Sequence, residues 1–251
     1  MERNSIIKAK ELKHLIICGD VHGKFREFGY RLKNFIENAI VIVAGDVGMG
    51  FHKPGYYRDE FTKLNKTLVK KNIVVFFVRG NHDDPEYFRW ETPLNDELSN
   101  IMLVPDYYTL KTGAGNVLCV GGAISIDRKH RVIDESYWAG EPCIYDEDAI
   151  NELEDKIDVV VTHTAPDYVK PFTKLGIENW TFYDRELETD CLIERGVMNN
   201  IYQQLKEKGH KVKYWGYGHF HMSNQMDYED TRFICCDELE LVELNINKYG
   251  N

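Results

Sequence analysis

Five short motifs follow one another along the chain, and each carries side chains able to hold a metal ion. They are Gly19-Asp20-Val21-His22-Gly23, Gly45-Asp46-Val47-Gly48, Gly80-Asn81-His82-Asp83, Thr162-His163-Thr164 and Gly218-His219-Phe220-His221. As metal donors they collect two carboxylates, one amide and four imidazoles, and no thiolate. Oxygen and nitrogen donors of this kind suit Mn, Fe or Zn better than thiophilic metals. The chemistry open to such a set is phosphoester hydrolysis. Two cations about 3.5–4 Å apart neutralise phosphoryl charge and lower the pKa of a shared water. His219 and His221 are spaced by two, so on an extended segment both rings face one side and can reach neighbouring ions. Taken singly, each motif has an ordinary reading: Asp-x-His a turn, Gly-Asn-His-Asp a hairpin or cap, His-x-His a pair of surface rings. Only the ordered set points to a site.

Scattered motifs need a scaffold that gathers them. Apolar runs at residues 15–18, 39–44, 73–78, 158–161 and 212–217 each end at one of the five motifs. Continuous apolar strands bounded by turn residues are typical of sheets buried on both faces. Ligand sites in open α/β sheets gather at the carboxyl ends of strands. The motifs can therefore converge, and their glycines allow sharp turns and close backbone approach.

Between the strands the pattern predicts helices at 24–37, with Phe25, Phe28, Leu32, Phe35 and Ile36 at helical spacing, and at 57–71, with Phe61, Leu64 and Leu68 on one face. Two more are predicted at 146–156, which opens on acidic residues, and at 191–208, which ends in lysines before Gly209. Further strands are predicted at 101–104, 107–111, 117–120, 232–236 and 238–244, the last with one face toward water. The alternation gives an α/β protein.

The totals restrict the function. With 251 residues and no linker, repeat or low-complexity stretch, the chain reads as one domain, 1–251, with a core at about 12–246. The apolar runs are too short to span a bilayer. Residues 1–5 lead into mixed charge rather than an apolar signal region, so the expected location is cytoplasmic. A formal charge of -10 argues against extensive, salt-driven nucleic-acid binding but leaves room for a local basic pocket. Cys18, Cys119, Cys143, Cys191, Cys235 and Cys236 form no CxxC pair, and Cys18 and Cys119 read as small buried hydrophobes. His14, His52, His130 and His210 lie outside the motifs and read as surface or core residues; His52 follows the second motif closely.

Asp-x-His-Gly, Gly-Asp-x-x-Gly, Gly-Asn-His-Asp, a later Thr-His and Gly-His-x-His together resemble the calcineurin-like metallophosphoesterase superfamily, over roughly residues 15–222. The resemblance implies a four-layer α-β-β-α sandwich, two mixed sheets flanked by helices, with a two-metal site at one edge. It implies that Asp20, His22 and His221 hold one metal, that Asn81, His163 and His219 hold the other, and that Asp46 bridges them. The implied cofactors are two divalent or mixed-valence ions, Mn first, with Fe, Zn or Ni as alternatives. The implied reaction is hydrolysis by attack of a metal-bound hydroxide, with His82 giving a proton to the leaving oxygen. Asp83 joins it as a catalytic candidate that either orients His82 or caps the turn. Protein Ser/Thr phosphatases of the superfamily carry Asp-Arg-Gly after the second Gly-Asp and Gly-Asn-His-Glu at the third motif. Here those stretches read Gly45-Asp46-Val47-Gly48-Met49-Gly50 and Gly80-Asn81-His82-Asp83, which points away from that branch.

Substrate signals lie between the motifs. The stretch from Gly121 through Asp127 and Arg128 to Arg131, Trp138 and Glu141 resembles uncharacterised bacterial and phage branches of the superfamily. Arg128 or Arg131 could clamp a phosphate oxygen, with Trp138 as a pocket wall; paired within the loop, they would do neither. Arg79 precedes the third motif and could approach the phosphate or form an internal ion pair. The 166–190 segment, with Phe172, Trp180, Phe182 and Tyr183, follows His163 and reads as a lid or as a loop folded on its own aromatics. The expected substrate is a small phosphorylated molecule, a nucleotide among the candidates, cleaved as a monoester or diester. The alternatives are a nuclease and a non-catalytic metal-binding scaffold.

Overall fold

The structure is a computed structural model, and it describes residues 3–246. Eleven strands are present among them: β1 (His14–Cys18), β2 (Ala39–Val43), β3 (Ile73–Phe77), β4 (Ile101–Leu103), β5 (Tyr108–Thr112), β6 (Gly115–Val120), β7 (Val159–Thr162), β8 (Tyr214–Tyr217), β9 (Asn224–Tyr228), β10 (Thr231–Cys235) and β11 (Leu241–Leu244). The helices are α1 (Asn4–Ala9), α2 (Phe25–Phe35), α3 (Pro54–Lys71), α4 (Pro93–Glu97), α5 (Glu147–Asn151) and α6 (Leu187–Glu207).

The strands form two mixed sheets. One has the order β11-β1-β2-β3-β4, the other β5-β6-β7-β8-β10-β9. In the first, β1 through β4 run parallel and β11 joins β1 antiparallel. In the second, β6, β7, β8 and β10 run parallel, with β5 and β9 antiparallel at the edges.

Alternate residues of the parallel strands point to opposite faces, and both faces are covered. Leu15, Ile17, Ile40, Ile42 and Phe76 of the first sheet meet Val117, Cys119, Val159, Val161 and Ile234 of the second in a shared core. Ile16, Val41, Val43, Val75 and Phe77, on the opposite face of the first sheet, pack under α2 and α3. Leu118, Val160, Trp215 and Phe233 do the same under α5 and α6. The layers run helix, sheet, sheet, helix, as the resemblance implies. A Cβ on Gly216 of β8 would lie 2.9 Å from Ile17 of β1, so that glycine sets how closely the sheets approach.

The strand-rich reading holds with local exceptions. β9 has no sequence signal: its Asn-Gln-Met-Asp-Tyr stretch carries no apolar run, and edge pairing with β10 makes it a strand. α1 and α4 are short and likewise unexpected. α5 is five residues rather than the eleven of 146–156; the Asp146 side chain caps it by accepting from the Ala149 N–H. α6 begins at Leu187 rather than 191. β11 sits at a sheet edge, in keeping with its half-polar sequence. Among the described residues, no helix is long and apolar enough to cross a membrane.

Candidate metal centre

All five motifs sit at the carboxyl ends of parallel strands: the first three after β1, β2 and β3 of one sheet, the last two after β7 and β8 of the other. The two strand ends face each other across the sandwich and bring together residues up to 201 positions apart (221 − 20).

One group forms around Asp20, His22, Asp46 and His221, whose ligand atoms all lie within 4.8 Å of one another. His221 Nε2 is 3.0 Å from Asp20 Oδ2 and 3.0 Å from His22 Nε2. His22 Nε2 is 3.6 Å from Asp20 Oδ2 and 3.7 Å from Asp46 Oδ2. Donors bonded at about 2.1 Å to a common tetrahedral centre would lie about 3.4 Å apart, so the spacing suits one ion. Two further observations test the fit. Asp46 Oδ2 is buried with no hydrogen-bond partner, and the equally buried Asp20 Oδ2 meets only the His221 and His22 rings, at 3.0 and 3.6 Å. Buried carboxylate oxygens are costly unless paired or metal-bound.

The second group is chained through Asn81. Its Oδ1 is 3.0 Å from His163 Nε2 and 2.9 Å from His219 Nδ1. His163 Nε2 lies 3.2 Å from Asp46 Oδ1. Asp46 thus turns one oxygen toward each group, the placement a bridging carboxylate needs. His163 Nδ1 donates to the Ala44 carbonyl at 2.7 Å, which leaves Nε2 free for a metal. The Lys174 ammonium lies 3.3 Å from His219 Nδ1.

The backbone around these groups is unusual. His22, Asp46, His219 and His221 all have positive φ, between 47° and 68°. Non-glycine residues held there cost about 1–3 kcal/mol each and cluster at functional sites. Two glycines make room for ligands. A Cβ on Gly218 would sit 2.1 Å from Asp20 Oδ1, and one on Gly45 would sit 2.2 Å from the His163 ring.

Charge is balanced internally. Burial disfavours charge on Asp20 and Asp46, yet neighbouring histidines hold both below the usual carboxylate range. Burial alone would lower His163, but Asp46 outweighs it and lifts the ring to about 9. His22 is raised in the same way, burial opposed by Asp20 and Asp46.

A relay behind the second group had no sequence signal beyond the Ser125 and Glu141 residues of the Gly121–Glu141 stretch. Asn81 Nδ2 donates to Ser125 Oγ at 2.9 Å, and Ser125 Oγ donates to Glu141 Oε2 at 2.7 Å. The Ser125 N–H donates to Glu141 Oε1 at 2.8 Å. Burial raises Glu141 to about 7; above that pH it is a carboxylate, the Ser125 hydroxyl proton is committed to it, and only the hydroxyl lone pairs face Asn81. That fixes the amide with Oδ1 toward the histidines. Lys174 was also missed; it is a lone lysine in a loop with no motif around it.

The other candidates divide. His82 is partly buried, and its backbone N–H donates to Asp46 Oδ1 at 2.7 Å. Its Nε2 lies 2.6 Å from Arg131 Nη2. A guanidinium only donates, so the His82 ring accepts and is neutral. Burial pushes it down to about 4, with Arg131 adding to that and Asp46 opposing. Arg131 thus contacts the third motif through His82, braced by Asp127 at 2.6 Å and the Ser136 carbonyl at 3.0 Å.

Asp83 does not touch the His82 ring. Its carboxylate accepts backbone N–H groups from Val47, Gly48, Met49 and Gly80 at 2.8–3.0 Å. It ties the second and third motifs together, and its catalytic reading is corrected to a structural one. Arg79 is corrected likewise. Buried, it donates to the Gly140 and Glu141 carbonyls and pairs with Asp106 at 2.8 Å. Arg128 spends its charge on Asp184 and Asp190, at 2.6 and 2.5 Å, so it anchors the 166–190 segment rather than a phosphate. Trp138 is buried against Phe51 and under Gly50, where a Cβ would meet its ring at 2.5 Å. It is a wall of the fold beside the second motif.

His52 packs on Tyr56 and stays outside the centre. His14 contacts Glu243, His210 accepts from the Ile157 N–H, and His130 meets Trp180 and Tyr183. Within the 166–190 segment Phe182 packs edge-on against Tyr183. Trp180 and Tyr183 pack on His130, while Lys174 reaches the centre.

Comparison with known proteins agrees with this geometry. Residues 13–223 match the family model described as calcineurin-like phosphoesterase. No curated protein matches. Among solved structures, one 14% identical in sequence is covered over 96% of its length by 95% of this chain, with a TM-score of 0.58. The protein TT1561 of Thermus thermophilus is 13% identical, with 94% of this chain and 99% of that one covered and a TM-score of 0.52. A putative 5′-nucleotidase from Staphylococcus aureus is 14% identical with a TM-score of 0.51; 95% of this chain spans 52% of it. These likenesses are of fold.

Proposed function

Because this chain belongs to the calcineurin-like phosphoesterase family, we propose that it is a dinuclear-metal-dependent phosphoesterase acting on a small phosphorylated molecule, with a nucleotide among the candidates. The observation that carries this reading is the convergence of the buried oxygens Asp20 Oδ2 and Asp46 Oδ2 with the His22 and His221 rings, all four ligand atoms within 4.8 Å of one another. Asp20, His22 and His221 would hold one ion, Asn81, His163 and His219 the other, and Asp46 would serve both. Bound there, two cations would neutralise phosphoryl charge and activate a water, with Mn the first candidate.

The chain's own residues do the rest. Arg131 presents a fixed cation beside the third motif and would pair with a phosphoryl oxygen. His82 holds Arg131 in the free protein. A phosphoryl dianion arriving beside the ring would favour its protonated form, from which Nε2 could give a proton to the leaving oxygen. Ser125 and Glu141 keep the Asn81 amide facing its ion. The net charge of -10 sets this small-molecule reading above a polynucleotide substrate.

The test is to load the protein with Mn²⁺, count bound ions, and compare p-nitrophenyl phosphate with bis-p-nitrophenyl phosphate. Two ions per chain with turnover support the reading, and the preferred dye separates monoesterase from diesterase. Protein that takes up no metal and shows no turnover overturns it.

A further inference from the structure

Lys174 brings a cation to the metal centre from outside the five motifs. It stands half-buried in the 166–190 segment, with its ammonium 3.3 Å from His219 Nδ1. An ammonium only donates, so Nδ1 accepts and turns its lone pair to Lys174. Asn81 Oδ1, 2.9 Å from the same nitrogen, is a second acceptor. Two lone pairs this close to each other call for a cation, and the Lys174 ammonium lies beside them.

Other cations around the centre are committed to acids. Lys24 pairs with Glu238, Arg79 with Asp106, Arg128 with Asp184 and Asp190, and Arg131 with Asp127. Among the described residues, no carboxylate forms an ion pair with Lys174. Burial lowers both His82 and His219, and the Lys174 ammonium adds to the fall in each, so its charge lies on the side of the centre that carries both rings. Two protein cations thus approach the centre from different segments, Arg131 beside the third motif and Lys174 beside the fifth. Once His219 Nδ1 serves a metal, Lys174 loses that acceptor and is repelled. Its flexible four-carbon stem lets the ammonium turn to a new partner, and the anion that arrives at the centre is the substrate's phosphoryl group.

We propose that Lys174 is a phosphoryl-binding residue, paired with a substrate oxygen on the His219 side as Arg131 is on the His82 side, and that it biases the site toward phosphomonoesters over diesters. A monoester carries about two negative charges at neutral pH and a diester one, so the monoester gains more from a second protein cation. The assignment rests on the phosphoesterase reading for its substrate class but not for its binding.

Lys174→Met removes the charge and keeps most of the stem. Titration calorimetry of the Mn-loaded protein with inorganic phosphate should show binding weakened about tenfold or more in the variant, as expected for the loss of a charge-assisted hydrogen bond. Mn²⁺ binding should hold or tighten, since a competing cation has gone. That opposition separates a substrate contact from a structural role, which would weaken both together. In turnover, kcat/KM should fall about tenfold or more for p-nitrophenyl phosphate, and less for bis-p-nitrophenyl phosphate, which has the same leaving group. Phosphate binding unchanged in Lys174→Met, binding lost in step with Mn²⁺ affinity, an equal fall for both esters, or wild-type turnover of the diester alone would overturn the assignment. If neither ester is cleaved, the phosphoesterase reading fails, and the phosphate titration alone judges Lys174. Weaker binding in the variant then supports it; equal binding, or none in the wild-type protein with or without Mn²⁺, overturns it.

Discussion

Replacing Glu141 by Gln changes almost no volume, yet it should reverse the polarity of the relay behind Asn81. In the native arrangement two donors, the Ser125 N–H and Oγ–H, point at the two Glu141 oxygens. Gln has one oxygen and one NH₂. If the oxygen keeps the backbone N–H, the NH₂ faces Ser125 Oγ and turns the hydroxyl proton toward Asn81. The Asn81 amide must then flip, which puts Nδ2 where Oδ1 now lies 3.0 and 2.9 Å from His163 and His219. An NH₂ cannot ligate a cation. Opposing the flip leaves a buried polar group unpaired, at about 1–3 kcal/mol. Loss of a partner behind a ligand typically lowers metal affinity about 10–100-fold, or roughly 1.4–2.7 kcal/mol. Calorimetric Mn²⁺ titration at about pH 8, above the Glu141 pKa of about 7, with ion counting after gel filtration, should show one ion retained and the second weakened by that factor. The first group of Asp20, His22 and His221 lies outside the relay and should bind normally. Ser125→Ala should weaken the same ion, because it removes the acceptor of Asn81 Nδ2. Two ions bound with wild-type affinity in both variants would refute the reasoning.

Other perturbations have equally definite outcomes. His163 has a folded pKa of about 9 against an ordinary 6.5, so its contribution to metal-free stability is fully present below pH 6.5 and lost as pH rises through 9. The Tm of chelator-treated protein should therefore fall over that window, while Mn²⁺ affinity rises because the metal displaces the proton; a metal-free Tm flat from pH 6.5 to 9 would contradict this. Gly218→Ala forces a Cβ to within 2.1 Å of Asp20 Oδ1 and should abolish binding at the first group while α2 and α3 remain folded by circular dichroism. Arg128→Ala frees Asp184 and Asp190 and should speed hydrogen exchange across 180–190, leaving β1 to β3 protected; unchanged exchange there would remove its anchoring role. His82→Ala should slow esters with poor leaving groups more than those with good ones. Equal losses would leave His82 only the task of holding Arg131.

The parts of the site legible in the sequence are those encoded locally. Asp20, Asp46, Asn81, His163 and His219 each follow an apolar run, and both the run and the turn can be read from a few adjacent residues. The layered fold follows from the same runs, because strands as apolar as β2 and β3 require cover on both faces. What could not be read depends on distant partners. Arg79, Arg128 and Arg131 look alike as residues, yet only Arg131 meets a motif side chain, and the difference lies in Asp106, Asp184 and Asp190 arriving from elsewhere in the chain. Asp83 lies within a catalytic-looking motif, but its role is set by N–H groups more than thirty residues away. β9 is invisible by composition because an edge strand takes its structure from its neighbour.

Of the expected ligands, Asp20, His22, Asp46 and Asn81 project from loops after β1 to β3 of one sheet, whereas His163, His219 and His221 come from the other. The chain has six cysteines, all free. A bound metal pair would thus act as the removable cross-link that no disulfide provides. Tying Asp20 to His221 closes a loop of about two hundred residues, for which chain-entropy arguments give on the order of 5 kcal/mol. Metal supply would then govern how long the molecule stays folded as well as whether it turns over.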